Sequence, residues 1–582
     1  MRMRRVAPLL LLAVIAACGG GNDDGSGFEG TKDNAYSLFD PVAASAVIPF
    51  PFDGLFDTTP PFDGTLNIPN TSAAPFVDAA NQLDGFSTTA SLFTDFIGYV
   101  DVAHALDINP TTHLPGVLLI DSTTLTPLVP GVDYRVQSST AIDPATGLPL
   151  NQLRTRMLIE PLKPLKPSTK YIAVVTRQVQ STDGVPAEAA DLFRVIRSTT
   201  PVAQQTEPAL STLSPAQQAT LEAIRGQFAP IFAGLAAKGI ARENIVIAWP
   251  FTTQNTTVTL STLGQQATGR TITAVATGLN SGQVLPGAPA TADVYVGSMT
   301  VPYYLDAPSE ADPTAPLTTY WKADTSQPAP GNTVLPALSS PTAIVTCSVA
   351  EPSVSTTTCY PLPLKKSEQR IPVILTIPNA ASGKTMPGGG IAKLLDGSAT
   401  FGPRISAGLL AASGGSIKEG NDNYETFLRF AQTVVDSGDP LNFATAAATN
   451  HPILMLEVKG DAVVPNCTIA GDANCPATDT IPISGYLSGS DPLARVLGLG
   501  FVPGPAQTDT LVTPVTTQAQ VLTGAAARNN VVRYASGTHG SILDPGSTPA
   551  SAAVTCEMQG EAATFVATNG TVLKIGNPCP GS

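Results

Sequence analysis

Histidine and basic charge are both scarce in this chain. It has four histidines in 582 residues, and 31 lysines and arginines stand against 45 aspartates and glutamates, giving a formal net charge of −14. A surface with that excess of acid repels nucleic acid and anionic headgroups, so no nucleic acid is expected as a partner. Nucleotide loops are missing too. Residues 379–395, NAASGKTMPGGGIAKLL, follow an apolar run, IPVILTIP (371–378), and contain Gly383-Lys384-Thr385. A phosphate loop needs a glycine five residues before Gly383, so that successive N–H groups curl round the phosphates, and Pro378 stands there. Glycines 388–390 lack dinucleotide spacing, because Lys393 takes the place of the last glycine. No serine lies in Gly-x-Ser-x-Gly, the pentapeptide that mounts a nucleophile between a strand and a helix. The chain also has no internal repeat.

Glycine and proline are plentiful, at 50 and 53, but scattered among apolar segments. That points to a loop-rich, β-containing exported protein and not a disordered one. The length leaves room for two or more domains with substantial cores. Three arginines in Met1–Arg5, an apolar stretch Val6–Ala17 and small residues before Cys18 have the order of a secretory signal, too short to span a membrane. With cysteine at the cleavage point it resembles a bacterial lipoprotein signal, which predicts removal of residues 1–17 and lipidation of Cys18. Gly19 is not the aspartate that retains such lipoproteins at the inner membrane, so the outer membrane or cell surface is the expected location. Losing the signal makes the chain more acidic by three charges. Its membrane contact is therefore expected through the lipid anchor and not through a basic patch.

Six cysteines follow Cys18, an even number that favours disulfides in an exported chain. They fall into three local pairs, Cys347–Cys359, Cys467–Cys475 and Cys556–Cys579, the pairings expected here. None has zinc-ligand spacing with a histidine beside it, so no metal or other cofactor is expected.

Residues 18–34 are a solvated tether of glycine, aspartate, asparagine and serine. From 35 to 255, short apolar segments alternate with turn signals: VIPFPFDGLF (47–56), DGTLNIP (63–69), GVLLI (116–120), RMLIEPL (156–162), KYIAVVT (170–176) and NIVIAWPFTTQ (244–254). This spacing predicts a β-rich N-terminal domain, an immunoglobulin-like sandwich with a helical insertion. The insertion is residues 214–239. It opens on a capping box at Ser214 and Gln217, with proline at the first helical position, and apolar residues follow at helical spacing. Pro230 is expected to kink or split it. Residues 256–365 read as a connector, and 366–582 alternate strands and helices as an α/β domain does.

His539, in VVRYASGTHGSILDP (531–545), sits on a loop after a β-branched strand, where α/β-hydrolases place their general base. Asp461, in PILMLEVKGDAVVPN (452–466), stands at a strand tip, the place of the acid that fixes the tautomer of such a base. Asp439 of SGDP (437–440) competes for that role. The nucleophile should precede both. Its nearest match is Ser413, in Ala411-Ala412-Ser413-Gly414-Gly415, which follows a helical run and not the strand an elbow needs. Cysteine is committed to disulfides.

The segments VIPFPFDGLF, DGTLNIP, LDGFSTTASL (83–92), IAWPFTTQ, MPGGGIAKLLDGSATFGP (386–403), DSGDPLNF (436–443), SGSDPLARVLGLG (488–500) and THGSILDP (538–545) give the chain a further character. It resembles the bacterial virulence-factor lipases, exported lipases and lysophospholipases that are often surface lipoproteins. The resemblance implies a C-terminal α/β-hydrolase domain over 366–582 that cleaves carboxylic esters of lipids with a Ser-His-Asp triad and no cofactor. His539 matches the base and Asp461 the acid. In such relatives a His-Gly oxyanion region and a Gly-His-Ser-Leu-Gly elbow separate the NAASGKT-like segment from the MPGGG block. Here Thr385 joins Met386 directly. An internal deletion of the nucleophile region is the expectation, which leaves the hydrolase domain incomplete. Loss of the serine from such a triad costs on the order of 10⁶ in rate. The expected function is a surface-anchored lipid-ester hydrolase, lipase or lysophospholipase, impaired or inactive in this chain. The alternative is a non-catalytic outer-membrane lipoprotein with a binding or structural role.

Overall fold

The computed structural model describes residues 34–576 except 57–64, 71–73, 140–153, 281–282, 284–291, most of 313–361, most of 379–397, 468–486, 502–519, 544–548 and a few single positions. The chain divides into two compact units that do not follow its order. The first holds residues 1–258, 325–361 and 405–437, and the second holds 259–324, 362–404 and 438–582.

The first unit is built on two four-stranded antiparallel sheets. One runs Tyr36–Ser37, Leu92–Ile97, Arg154–Pro161, Tyr134–Ser139, and the other Thr126–Pro127, Val117–Asp121, Lys170–Thr176, Ile245–Thr252. The strands at 117, 154, 170 and 245 arise where β-branched and aromatic residues cluster, as the sequence predicts. VIPFPFDGLF does not form a strand. Pro49 and Pro51 supply no N–H to a ladder, so the segment makes single bridges at Asp40–Val47, Phe50–Phe93 and Phe56–Leu66, with a short 3₁₀ turn at Asp53–Leu55. Among the described residues of DGTLNIP, Leu66 supplies the bridge to Phe56.

Both sheets feed one core, in which Trp249, Phe86, Phe93, Phe96, Phe193, Phe228, Phe232 and Phe251 are fully buried. The Tyr134 hydroxyl donates to the Val117 carbonyl at 2.8 Å, tying one sheet to the other. Buried charges meet their cross-strand partners. Arg156 faces Asp95 in register and forms a two-pronged pair at 2.8 and 2.9 Å, while Arg135 faces Glu160 at 2.7 Å. The insertion is one helix, Pro215–Ala237, with the capping box in place. It is not split at Pro230. Pro230 and Gly226, whose carbonyl loses its helical donor, are both exposed, so water can satisfy that oxygen.

A helix from much later in the chain, Asp422–Val435, belongs to this first unit. Phe430 enters the main core, with its ring 5.3 Å from Phe50 and 6.0 Å from Phe76. Asp436, fully buried at the helix end, accepts hydrogen bonds at Oδ2 from Ser87 Oγ (2.6 Å), Thr88 N–H (2.6 Å) and Thr88 Oγ1 (3.1 Å). Its Oδ1 accepts from Thr89 Oγ1 and Gln432 Nε2, both at 2.8 Å. Gln254 Nε2 donates to the Thr433 carbonyl, and Arg429 Nε to Ser91 Oγ at 3.0 Å. Three of the quoted segments, LDGFSTTASL, IAWPFTTQ and DSGDPLNF, thus meet in one place.

In the second unit, Thr273–Asn280, Ala292–Tyr303 and Ser367–Pro378 form an antiparallel sheet. Its longest pairing, Ala292–Tyr303 with Ser367–Pro378, crosses the expected 365/366 boundary, so the connector and the following segment fold together. A separate parallel sheet runs Leu454–Val458, Asn530–Tyr534, Gly500–Phe501. Parallel strands need cover on both faces. Val458, Val532 and Tyr534 pack with Val554, Met558 and Phe565 of helix Pro549–Ala567. Val531 and Met455 pack with Leu441 and Ala444 of helix Leu441–Asn450 and with Leu493 and Leu497 at helix Ser490–Val496.

Candidate functional site: a histidine and an aspartate at the ends of parallel strands

Two adjacent parallel strands, Leu454–Val458 and Asn530–Tyr534, each end in a loop, and each loop carries one of the expected residues. Lys459 N–H donates to the Tyr534 carbonyl at 2.8 Å, so pairing continues to the last residue of both strands. His539 Nδ1 lies 2.8 Å from Asp461 Oδ2. The imidazole is 51 % exposed and the carboxylate only 10 %. A carboxylate only accepts, so Nδ1–H donates, and the imidazole is held with Nε2 as its free lone pair. No residue bonds Nε2 among those described.

Each loop is fixed from within. Asp461 Oδ1 accepts the N–H groups of Val463 (2.8 Å) and Val464 (3.1 Å), which leaves Oδ2 for the histidine. On the other side Thr538 N–H donates to Ser541 Oγ at 2.7 Å, and Thr555 Oγ1 of the long C-terminal helix donates to the Ser541 carbonyl. Gly537 has φ +130°, and a Cβ there would meet Ser541 Oγ at 2.8 Å, so only glycine fits the approach to His539.

Behind the acid lies a buried charge cluster. Glu457 and Arg533 face each other in register on the two strands and form an ion pair at 2.9 Å, while Arg533 Nη2 donates to Asp491 Oδ2 at 3.3 Å. All three side chains are 2 % exposed. Burial, and then the charge of Glu457, push Asp491 up to about 7. On the opposite face of the sheet Tyr534 Oη donates to Glu561 Oε2 at 2.7 Å, and burial beside Glu557 holds Glu561 well above the usual carboxylate range. Sequence reading passes over these groups. The signal was present in single charges inside apolar strands, Glu457 in ILMLEV and Arg533 in VVRY, because a charge in such a strand must find a partner.

The structure does not give Ser413 an elbow. It ends helix Gly402–Ala412, is 6 % exposed, and its Oγ accepts the Ile417 N–H at 2.9 Å and lies 3.3 Å from the Leu410 carbonyl. It falls in the first unit, Asp461 and His539 in the second. Asp439 accepts the Leu441 N–H at 3.0 Å, at the start of a helix. Cys467 and Cys556 are disulfide-bonded. Cys18, Cys347, Cys359, Cys475 and Cys579 lie outside the described residues, so the three expected pairings do as well. The NAASGKTMPGGG stretch lies outside them also.

Comparison with known families bears on the other end of the chain, where residues 52–285 match the bacterial virulence factor lipase N-terminal family. The match takes in both four-stranded sheets except the strand Tyr36–Ser37, together with the inserted helix and the strand Thr273–Asn280. The match supports a lipase-related virulence factor. No curated protein matches the chain. Among the described residues no helix is long and apolar enough to cross a membrane, and no group of three or more His, Cys, Asp or Glu is placed to hold a metal ion.

Proposed function

We propose that this chain is the scaffold of a lipid carboxylic-ester hydrolase of the α/β-hydrolase class, retaining the general base His539 and its orienter Asp461 but lacking the covalent nucleophile. The observation that carries the reading is the 2.8 Å contact of His539 Nδ1 with Asp461 Oδ2, across 78 residues, in a chain whose N-terminal domain is of the lipase family. Parallel strands covered on both faces, with the pair at their carboxyl ends, support the class. In such a site Nε2 takes the proton of an attacking hydroxyl and later returns it to the leaving alkoxide, while Asp461 stabilises the imidazolium. The chain supplies no Gly-x-Ser-x-Gly hydroxyl for that step. We therefore read it as impaired or inactive toward lipid and lysophospholipid esters, exported, and held at the outer membrane or cell surface by lipidated Cys18.

The test is serine-directed labelling with a fluorophosphonate, together with turnover of short-chain nitrophenyl esters, on cell fractions and purified chain. No labelling is expected, with hydrolysis unchanged by His539→Ala, and Cys18→Ala should move the chain from the membrane to the soluble fraction. Labelling, with hydrolysis falling about 10²-fold or more in His539→Ala, would show an intact triad and sink the reading. Loss of that label in Ser413→Ala would name its serine.

A further inference from the structure

We propose that Asn466 is a positioning residue for the His539–Asp461 pair: its carboxamide closes the loop 460–466 and so aims Asp461 Oδ2 at the imidazole. The inference rests on reading that pair as the base and orienter of an ester hydrolase. Asn466 Oδ1 accepts the Gly460 N–H at 2.7 Å, where the chain leaves the strand. Its Nδ2 donates to the Val458 carbonyl at 2.9 Å and to Glu457 Oε1 at 2.8 Å, with Ser490 Oγ at 3.3 Å. One side chain at the end of the loop thus bonds both backbone groups at its beginning.

The residue type is dictated by that task. The site needs one acceptor and two donors on a short planar group, which asparagine supplies and aspartate, leucine or serine does not. The anchor is itself rigid, because Glu457 Oε1 also accepts from Ser490 Oγ while Arg533, its cross-strand partner, holds the other oxygen. The backbone around Asn466 is fixed as well: Ser490 N–H donates to the Pro465 carbonyl at 3.2 Å and Asp491 N–H to that of Asn466 at 3.0 Å.

From the outer side the Ala462 carbonyl accepts from Ser398 Oγ, Thr400 N–H and Thr400 Oγ1, each at 3.1 Å. Asp461 therefore lies between two pinned points. Turning its carboxylate away would break the bonds from Val463 and Val464 together. An orienter works only when held near its productive geometry, and supporting hydrogen bonds of this kind do the holding.

The experiment reads the pair directly on the full chain. A proton spectrum looks for the far-downfield Nδ1 proton of His539, assigned by its loss in Asp461→Ala and His539→Gln, and amide exchange is followed in parallel. Asn466→Ala should abolish the downfield signal and speed exchange at Gly460, Val463 and Val464 about tenfold or more, with Leu456 and Val532 within about threefold of the parent. A retained signal with unchanged exchange overturns the proposal while leaving the pair, and the hydrolase reading, in place. Absence of the signal in the parent chain overturns both. Asn466→Ser covers the case in which the alanine variant loses its core: it should show the same loss with Leu456 and Val532 still protected, and a retained signal there also counts against Asn466.

Discussion

Among the described residues are two histidine–aspartate pairs, one in each unit, and they differ in everything but the contact. His104 Nδ1 lies 2.6 Å from Asp101 Oδ2, a little closer than His539 lies to Asp461. Yet Asp101 is three residues from its histidine, 33 % exposed, and spends its other oxygen on the Ala103 N–H of the same turn. His104 is 72 % exposed, and both oxygens of its acid bond within the same turn. Asp461 is 78 residues from its histidine and stands on a loop pinned by Asn466, Ser398 and Thr400. Distance is thus the poorest guide to how firmly a pair is held. What separates them is how many other bonds must break before the acid can move.

The largest effect is expected at Arg533. Arg533→Met leaves Glu457 and Asp491 buried without the guanidinium between them, and the second unit should lose about 3–5 kcal/mol. Urea denaturation read by amide exchange at Val532 measures it, and a loss below about 1 kcal/mol would show that the cluster does not support the site. The His104–Asp101 pair should be unaffected.

A smaller effect sharpens the contrast through pH. Asp491 is raised from 3.8 to about 7, so the folded chain binds its proton more tightly than the unfolded chain. This group therefore makes the second unit most stable near pH 4 and progressively less stable as pH rises through about 7, above which the dependence is flat. Asp491→Asn should remove that slope from the melting temperature measured between pH 4 and 8, and a slope unchanged in the variant would rule out Asp491 as its source. The exposed pair has the opposite pattern. Asp101 is lowered by its hydrogen bond to His104, and His104 is raised by the same bond, so their mutual stabilisation is present between the two ordinary values. It is lost as pH falls through the Asp101 value or rises through that of His104.

The smallest effect expected is that of Asp101→Ala. His104 should titrate nearer the ordinary 6.5, seen by proton NMR, with the melting temperature unmoved. A fall of several degrees would mean that the local pair is structural after all.

Much of this was legible in advance, and the pattern of what was not has a physical cause. Strands such as Lys170–Thr176 declare themselves through runs of β-branched and aromatic residues, and helix Pro215–Ala237 through its capping box. His539 and Asp461 could be named because each follows an apolar run that ends in a glycine turn. Asn466 could not, since a polar residue in a loop looks the same whether it faces water or closes the loop. The course of VIPFPFDGLF was misjudged because apolar character survives at prolines while ladder hydrogen bonding does not. Nor does composition show that Asp422–Val435 belongs with strands more than three hundred residues earlier.

Synthesis runs from the N-terminus, so Ser87 and Thr88 are made 349 and 348 residues ahead of the carboxylate they bind. Until Asp436 appears, Phe50 lacks Phe430 as a neighbour and the Ser87–Thr89 hydroxyls lack their acceptor. At synthesis rates of roughly 5–20 residues per second the interval is about 20–70 s, ample for an open apolar face to meet a chaperone or another nascent chain. The part of this molecule that is first in sequence is among the last to be finished.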